Sequence, residues 1–250
     1  MKKLCFSLLL SLFCLAAPAQ DQTRTYKVKG SVAAIEAYGN VEIDYKIAPT
    51  LNIKGTTSGM PMDALKVEKK GSTLVIYTEG NFKEKSYAKV TMSAPAIYSY
   101  DISGNVDMDV EGLLAGPGTL KVVSGGNATV DFEGDANMAK IQFISHGNSH
   151  ISLDNVNSTA LVIDASGNSS IEAKDMLLET VKVDASGNSH IDLHGNGTSG
   201  DYDASGNSVI DAYELKLSTG TIDASGNASV RCNIAEPKYQ TSGNASISNK

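Results

Sequence analysis

Carboxylates are the side chains whose type and spacing come nearest to chemistry in this sequence. The pentapeptide Asp-Ala-Ser-Gly-Asn occurs at 164–168, 184–188, 203–207 and 223–227. It sets Asp164, Asp184, Asp203 and Asp223 at near-equal intervals, and Asp101 holds the same place in a degenerate copy. A second set, Asp109, Asp131, Glu172, Asp192 and Asp211, follows the asparagine of each copy by four residues. Stacked oxygen ligands of this kind suit Ca²⁺, so Asp164, Asp184, Asp203 and Asp223 are the candidate metal ligands. The plainer expectation is a solvated face whose like charges discourage lateral aggregation. Carboxylate pairs also cut glycosidic bonds, provided one of them has a raised pKa. Here acids recur throughout, and no pair stands out. A lyase acting on acidic sugars needs a basic cleft, and Arg231 is the one arginine in the repeats.

The remaining reactive side chains are few. His150 and His190 share a repeat position two copies apart, with Ser170 between them. That is about 10 Å at strand spacing, too far for both to bind one zinc ion at ~2.1 Å. His146 and His194 are read as surface residues as well. Cys232 aligns with Ala173, Leu193 and Ala212, which points it inward as a small apolar side chain. The sequence has no nucleophile motif, phosphate loop or CxxC pair. No catalytic or cofactor-binding residue is assigned, and no cofactor is called for.

Repetition defines the elements that carry these residues. Copies with a Gly-Asn step surround the four pentapeptides, and their asparagines fall at 105, 127, 148, 168, 188, 207, 227 and 244. A period near twenty is too short for a helical repeat. Three residues after the asparagine stand Met108, Val130, Ile151, Ile171, Ile191, Ile210, Val230 and Ile247. Five before it stand Tyr100, Val122, Phe143, Ile163, Val183, Tyr202, Ile222 and Tyr239. Polar residues alternate with them, which is the period of strands with one buried face. Each copy is read as two short strands joined at a Gly-Asn turn. Gly adopts positive φ freely and Asn tolerates it better than most residues. Stacked asparagines could also bond amide to amide. Copies running in one direction must pair in parallel, so the fold class is all-β, a right-handed parallel β-helix with a filled apolar core.

Residues 96–250 form the β-helix repeats. Residues 20–95 alternate too, as in Val41-Glu42-Ile43 and Leu74-Val75-Ile76, but with irregular spacing. They are read as a β-rich part that caps or begins the solenoid as one continuous unit with it, and Gly39-Asn40 looks like one more turn. Residues 1–19 read as a secretory signal peptide: basic Met1-Lys2-Lys3, a short apolar run, then Ala17-Pro18-Ala19. The run is too short to span a bilayer. Without the leader the chain has 19 basic and 28 acidic residues, net −9, a poor match for nucleic acid. Cys232 is then the sole cysteine, so no intrachain disulfide forms.

Several of these segments resemble the head GIN domain family, also described as auto-transporter adhesins, of Bacteroidetes-type bacteria. They are Tyr38-Gly39-Asn40-Val41-Glu42-Ile43, Lys89-Val90-Thr91-Met92-Ser93-Ala94-Pro95 leading into Ile102-Ser103-Gly104-Asn105, the later Ser-Gly-Asn copies, and the leader ending in Ala-Pro-Ala-Gln. The resemblance spans nearly the whole mature chain. It implies an exported, non-enzymatic, adhesin-like β-helix, in the periplasm or on the cell surface. Flat Ser/Asn/Asp faces suit a glycan or an envelope protein. The sequence has no Trp to stack on sugars, which leaves exposed tyrosines such as Tyr213. The alternatives are a degenerate carbohydrate-active enzyme and a structural envelope component that stacks end to end through its terminal coils.

Overall fold

A computed structural model describes residues 21–81 and 86–250. The leader expected over 1–19 lies outside the described residues. Among the described residues a single three-residue 3-10 turn, Met62–Ala64, accompanies the strands and no longer helix occurs. From Ser99 onward the strands pair in parallel, each with the copy before and the copy after. The fold is therefore a parallel β-solenoid.

Both apolar columns read from the sequence point inward. Val122, Phe143, Ile163 and Val183 are in register and buried. So are Met108, Val130, Ile151, Ile171 and Ile191. Fully burying such side chains stabilises by about 1.5–3 kcal/mol each. The columns are continuous, so the gain repeats with every coil. Tyr239 departs from its column: it lies in the last coil, with no strand paired beyond it among the described residues, and is 62% exposed.

The coil has a third side, where the sequence suggested only two strands per repeat. A second corner falls seven residues after the corner asparagine, at Gly112, Gly134, Asn155, Asp175 and Gly195, all with positive φ. Beyond it Leu114, Ala136, Val156, Met176 and Leu215 turn into the core. The 16-residue strand Ser170–Ala185 bends through Asp175, where its register with the next coil shifts between Ala173 and Met176.

The first corner is held by backbone contact. Gly187 has φ +70°, and a Cβ there would lie 2.9 Å from the Gly167 carbonyl oxygen. The same approach, at 2.8–3.0 Å, recurs from Gly104 to Gly243. Glycine is thus required twice, for its φ and for the close approach of coil on coil. The asparagines do not share the left-handed conformation; only the glycine of each pair has positive φ. Each Asn backbone N–H donates to the Gly carbonyl of the preceding coil at 2.6–2.7 Å.

The N-terminal part is woven out of sequence order. Ala34–Tyr38 pairs in parallel with Ser99–Ile102 on one side and Thr73–Thr78 on the other. Likewise Asn40–Ile47 lies between Asn105–Glu111 and Tyr87–Ala94. Asn40 is in register with Asn105, so Gly39-Asn40 is a true corner. The outermost layer is then covered by antiparallel strands. Leu65–Lys70 pairs with Thr73–Thr78, Asn52–Ser58 with Tyr87–Ala94, and Gln22–Tyr26 with Asn52–Ser58. This cap protects the edge that a parallel stack would leave open. At the other end Asn249 occupies the core column of Cys232. Its side-chain amide accepts from the Ile234 N–H at 2.8 Å and donates to the Ile234 carbonyl at 2.9 Å, standing in for a strand.

Small inward residues flank the Gly-Asn corner. Ser149, Ser169, Ser189 and Ser208 form one buried column, bounded by Ala128 and Ala228. The hydroxyls of Ser169, Ser189 and Ser208 are buried without a hydrogen-bond partner. Two substitutions test this packing in urea unfolding. Gly187→Ala is expected to destabilise by at least about 2 kcal/mol, from the left-handed φ and the clash together. Ser189→Ala is expected to stabilise by about 1 kcal/mol, because it removes an unsatisfied buried hydroxyl where a methyl fits.

Candidate functional site

With core and corners fixed, the outward residues form columns along the rod. The most regular is the corner asparagine column. Asn127, Asn148, Asn168, Asn188, Asn207, Asn227 and Asn244 each donate a side-chain N–H to the Oδ1 of the preceding copy, ending at Asn105, at 2.8–3.2 Å. These amides are exposed. They zip neighbouring coils together and present an unbroken polar ridge.

Asp164, Asp184, Asp203 and Asp223 stack in register on one side. Val123 and Ile144 separate Asp101 from them in that column. Lys182 reaches across to Asp201 at 3.3 Å. Partial burial, with Asp184, Asp223 and Asp201 nearby, raises the Asp203 pKa. Among the described residues, no group of three or more His, Cys, Asp or Glu side chains converges where it could hold a metal ion.

The second acid column runs Asp44, Asp109, Asp131, Ser152, Glu172, Asp192, Asp211. It is neutralised unevenly. Arg231 pairs with Asp211 at 2.6 Å and Lys174 with Glu172, while His194 Nε2 lies at hydrogen-bond distance, 2.8 Å, from Asp192. Near the cap, Lys89 bridges Glu42 and Asp44, both at 2.7 Å, and these bonds raise its pKa. Asp107 and Asp109 have raised pKa values, first from burial and then from neighbouring carboxylates. Residues 21–95 hold 11 basic and 8 acidic residues, net +3, whereas 96–250 hold 8 and 20, net −12. The rod is thus mildly basic at its capped end and strongly acidic along its repeats.

The other sequence candidates fall as follows. His150, Ser170 and His190 share a column in that order. His146 Nδ1 lies 2.6 Å from Ser166 Oγ. Cys232 is buried in the core, and burial pushes its thiol up to about 11. Tyr213 is not an open platform: Arg231 and Lys250 lie over its ring, 4.9 and 4.4 Å from the centroid. The exposed tyrosines are Tyr87 and Tyr239. Tyr87 gave no sequence signal, because its strand stands outside the twenty-residue period.

Two measurements test the acid columns. A raised pKa means that ionising Asp203 costs stability above its folded pKa, and that the cost vanishes as pH falls below the unfolded value. Asp203→Asn is therefore expected to raise the melting temperature at pH 7, with the gain disappearing below about pH 4. Excess chelator, or added calcium, is expected to leave the melting temperature of the parent chain unchanged; a rise with calcium would mark a bound ion.

Solved structures of other bacterial proteins share this fold. The crystal structure of a "putative adhesin" from Parabacteroides merdae superposes with a TM-score of 0.81 at 13% identity, covering 92% of this chain and 96% of that one. One from Parabacteroides distasonis gives 0.76 at 13%, covering 93% and 98%. One from Bacteroides fragilis gives 0.67 at 20%, covering 92% and 97%. No curated protein matches the chain. The model of the family described as "Putative auto-transporter adhesin, head GIN domain" matches residues 33–149 and again 135–250. Two tandem matches that together take in both the woven N-terminal layers and the regular coils mean that this chain belongs to the head GIN domain family.

Proposed function

We propose that the chain is an exported, non-enzymatic, adhesin-like protein that presents the polar faces of its solenoid to a glycan or an envelope protein. The observation that carries this reading is the pairing of a filled core with outward columns in unbroken register. Tyr, Val, Ile and Leu side chains occupy the interior, so the surface is the part left to recognise a partner. A long regular face makes many weak hydrogen bonds at fixed spacing, which suits a repetitive or extended partner. Adhesin-like relatives support the same reading. The raised pKa values of Asp107, Asp109 and Asp203 follow first from burial and then from like charges in and beside their columns, a consequence of stacking that does not call for a hydrolase's acid and base. Among the described residues no helix is long and apolar enough to cross a membrane.

One observation favours a second reading, an envelope scaffold that stacks end to end. The final strands, Ser246–Asn249 and the 237–241 part of Ser229–Thr241, have no further strand beyond them among the described residues. Pro237 and Lys238 on that edge oppose strand addition, and Asn249 already fills part of it. Sedimentation is expected to show a monomer at all concentrations, whereas growth with concentration would favour the scaffold.

Protease treatment of intact cells, with a periplasmic protein as control, tests the location. The adhesin reading predicts digestion of this chain while the control survives. Protection until the envelope is opened would contradict it.

A further inference from the structure

The geometry points to a saccharide-binding pocket at the junction of cap and solenoid, formed by Asn40, Glu42, Tyr87, Asn105 and Asp107 and fitted to an uncharged sugar unit. The inference rests on the adhesin reading and gives it a location and a ligand class. A depression of about 340 Å³ opens here, lined by these side chains and by Ser86. That lies at the small end of the range for ligand pockets, about 300–1,000 Å³.

Three kinds of group meet in this depression, and each has a use for a sugar. Tyr87 supplies an aromatic surface; it is 41% exposed, and its hydroxyl donates to Asp21 at 3.2 Å. A ring that is partly exposed and anchored at its tip can stack on the apolar face of a pyranose at little cost in side-chain entropy. Glu42 and Asp107 stand side by side on paired strands. Carboxylates accept hydrogen bonds from neighbouring sugar hydroxyls. Lys89 fixes Glu42 at 2.7 Å. Asn40 and Asn105 are in register at the corner. Here the amide ladder stops. Asn105 accepts from Asn127, yet no side-chain bond joins Asn105 to Asn40. From Asn127 to Asn227 each corner amide donates to one neighbour and accepts from the other, whereas Asn105 only accepts and Asn40 joins no ladder bond, so here two amides stand next to a cavity with bonding capacity to spare.

The pocket exists because of the out-of-order weave. Along the regular coils each corner is covered by an identical corner. Next to Asn40 the adjoining layer instead brings Ser86-Tyr87-Ala88, which breaks the ladder and sets an aromatic ring beside it. The carboxylates also select the ligand's charge. Asp44 and Asp109 lie just beyond Glu42 and Asp107, so a uronate or sialate would meet repulsion, whereas a neutral hexose would not. Partial burial, and then the neighbouring carboxylates, raise the Asp107 pKa, so a hydroxyl donor arriving at its carboxylate would replace hydration that burial has removed.

The test is binding of the mature chain to an array of neutral, uronate-containing and sialylated glycans, repeated with variants. The expectation is selective binding of neutral glycans. Tyr87→Ala and Asp107→Asn should each weaken it at least tenfold, and Tyr87→Phe should retain most of it. Tyr239→Ala, at the far end of the rod, should leave it unchanged. Asp107→Asn removes a carboxylate under repulsion, so its melting temperature should not fall, and lost binding could not be ascribed to misfolding. Neutral-glycan binding indifferent to both Tyr87→Ala and Asp107→Asn would overturn the pocket but leave the adhesin reading standing. Binding to no glycan at all would also overturn it, and attachment of cells with and without the chain would then judge the adhesin reading separately.

Discussion

The contact between stacked glycine backbones at the Gly-Asn corner constrains everything else in this molecule. Successive coils approach so closely there that no Cβ fits, and the asparagine N–H of one coil bonds to the glycine carbonyl of the coil before it. A one-residue slip would turn every inward side chain outward. The corner forbids that slip. Once register is pinned at one point per coil, the apolar columns follow, and so do the outward columns of amide and acid. Burial supplies most of the stabilisation, while the corner decides which residues are buried.

Register has a cost along the outer face. Repeating one pentapeptide stacks like charges, and the raised pKa of Asp203 follows from burial plus the acids above and below it. The chain offsets this in places, with Lys89, Lys182 and Arg231 set across acid columns. Asn tolerates stacking much better than Asp, because an amide both donates and accepts. That is why the exposed corner carries asparagine in all eight copies, while the acid columns are broken by Val123, Ile144 and Ser152.

The periodic part of the fold was legible because each coil repeats the same demand. Phe143 and Val183 could be placed in one buried column from spacing alone, and the structure puts them there. The second corner was not legible. Gly134, Asn155 and Asp175 all have positive φ, but at 140°, 55° and 49°, so neither residue type nor one fixed conformation repeats down the column. The cap was hidden for another reason. Thr73–Thr78 and Tyr87–Ala94 come after Ala34–Tyr38 and Asn40–Ile47 in sequence but stack on their outer sides, and period reading presumes that order along the chain is order along the rod. The candidate pocket shares that fate, since Tyr87 meets Asn40 and Asp107 only through the weave. Tyr213 looked available in sequence, and the two cations on its ring come from later coils.

The central claim is that the corner column holds coils in register rather than serving as a recognition stripe. Comparing Asn188→Ala with Asn244→Ala in urea unfolding tests it most directly. Asn188 takes part in two ladder bonds and Asn244 in one. At about 0.5–1 kcal/mol per exposed bond, the account predicts a loss of about 1–2 kcal/mol for Asn188→Ala and about half of that for Asn244→Ala. Equal stability of both variants and the parent chain would contradict it.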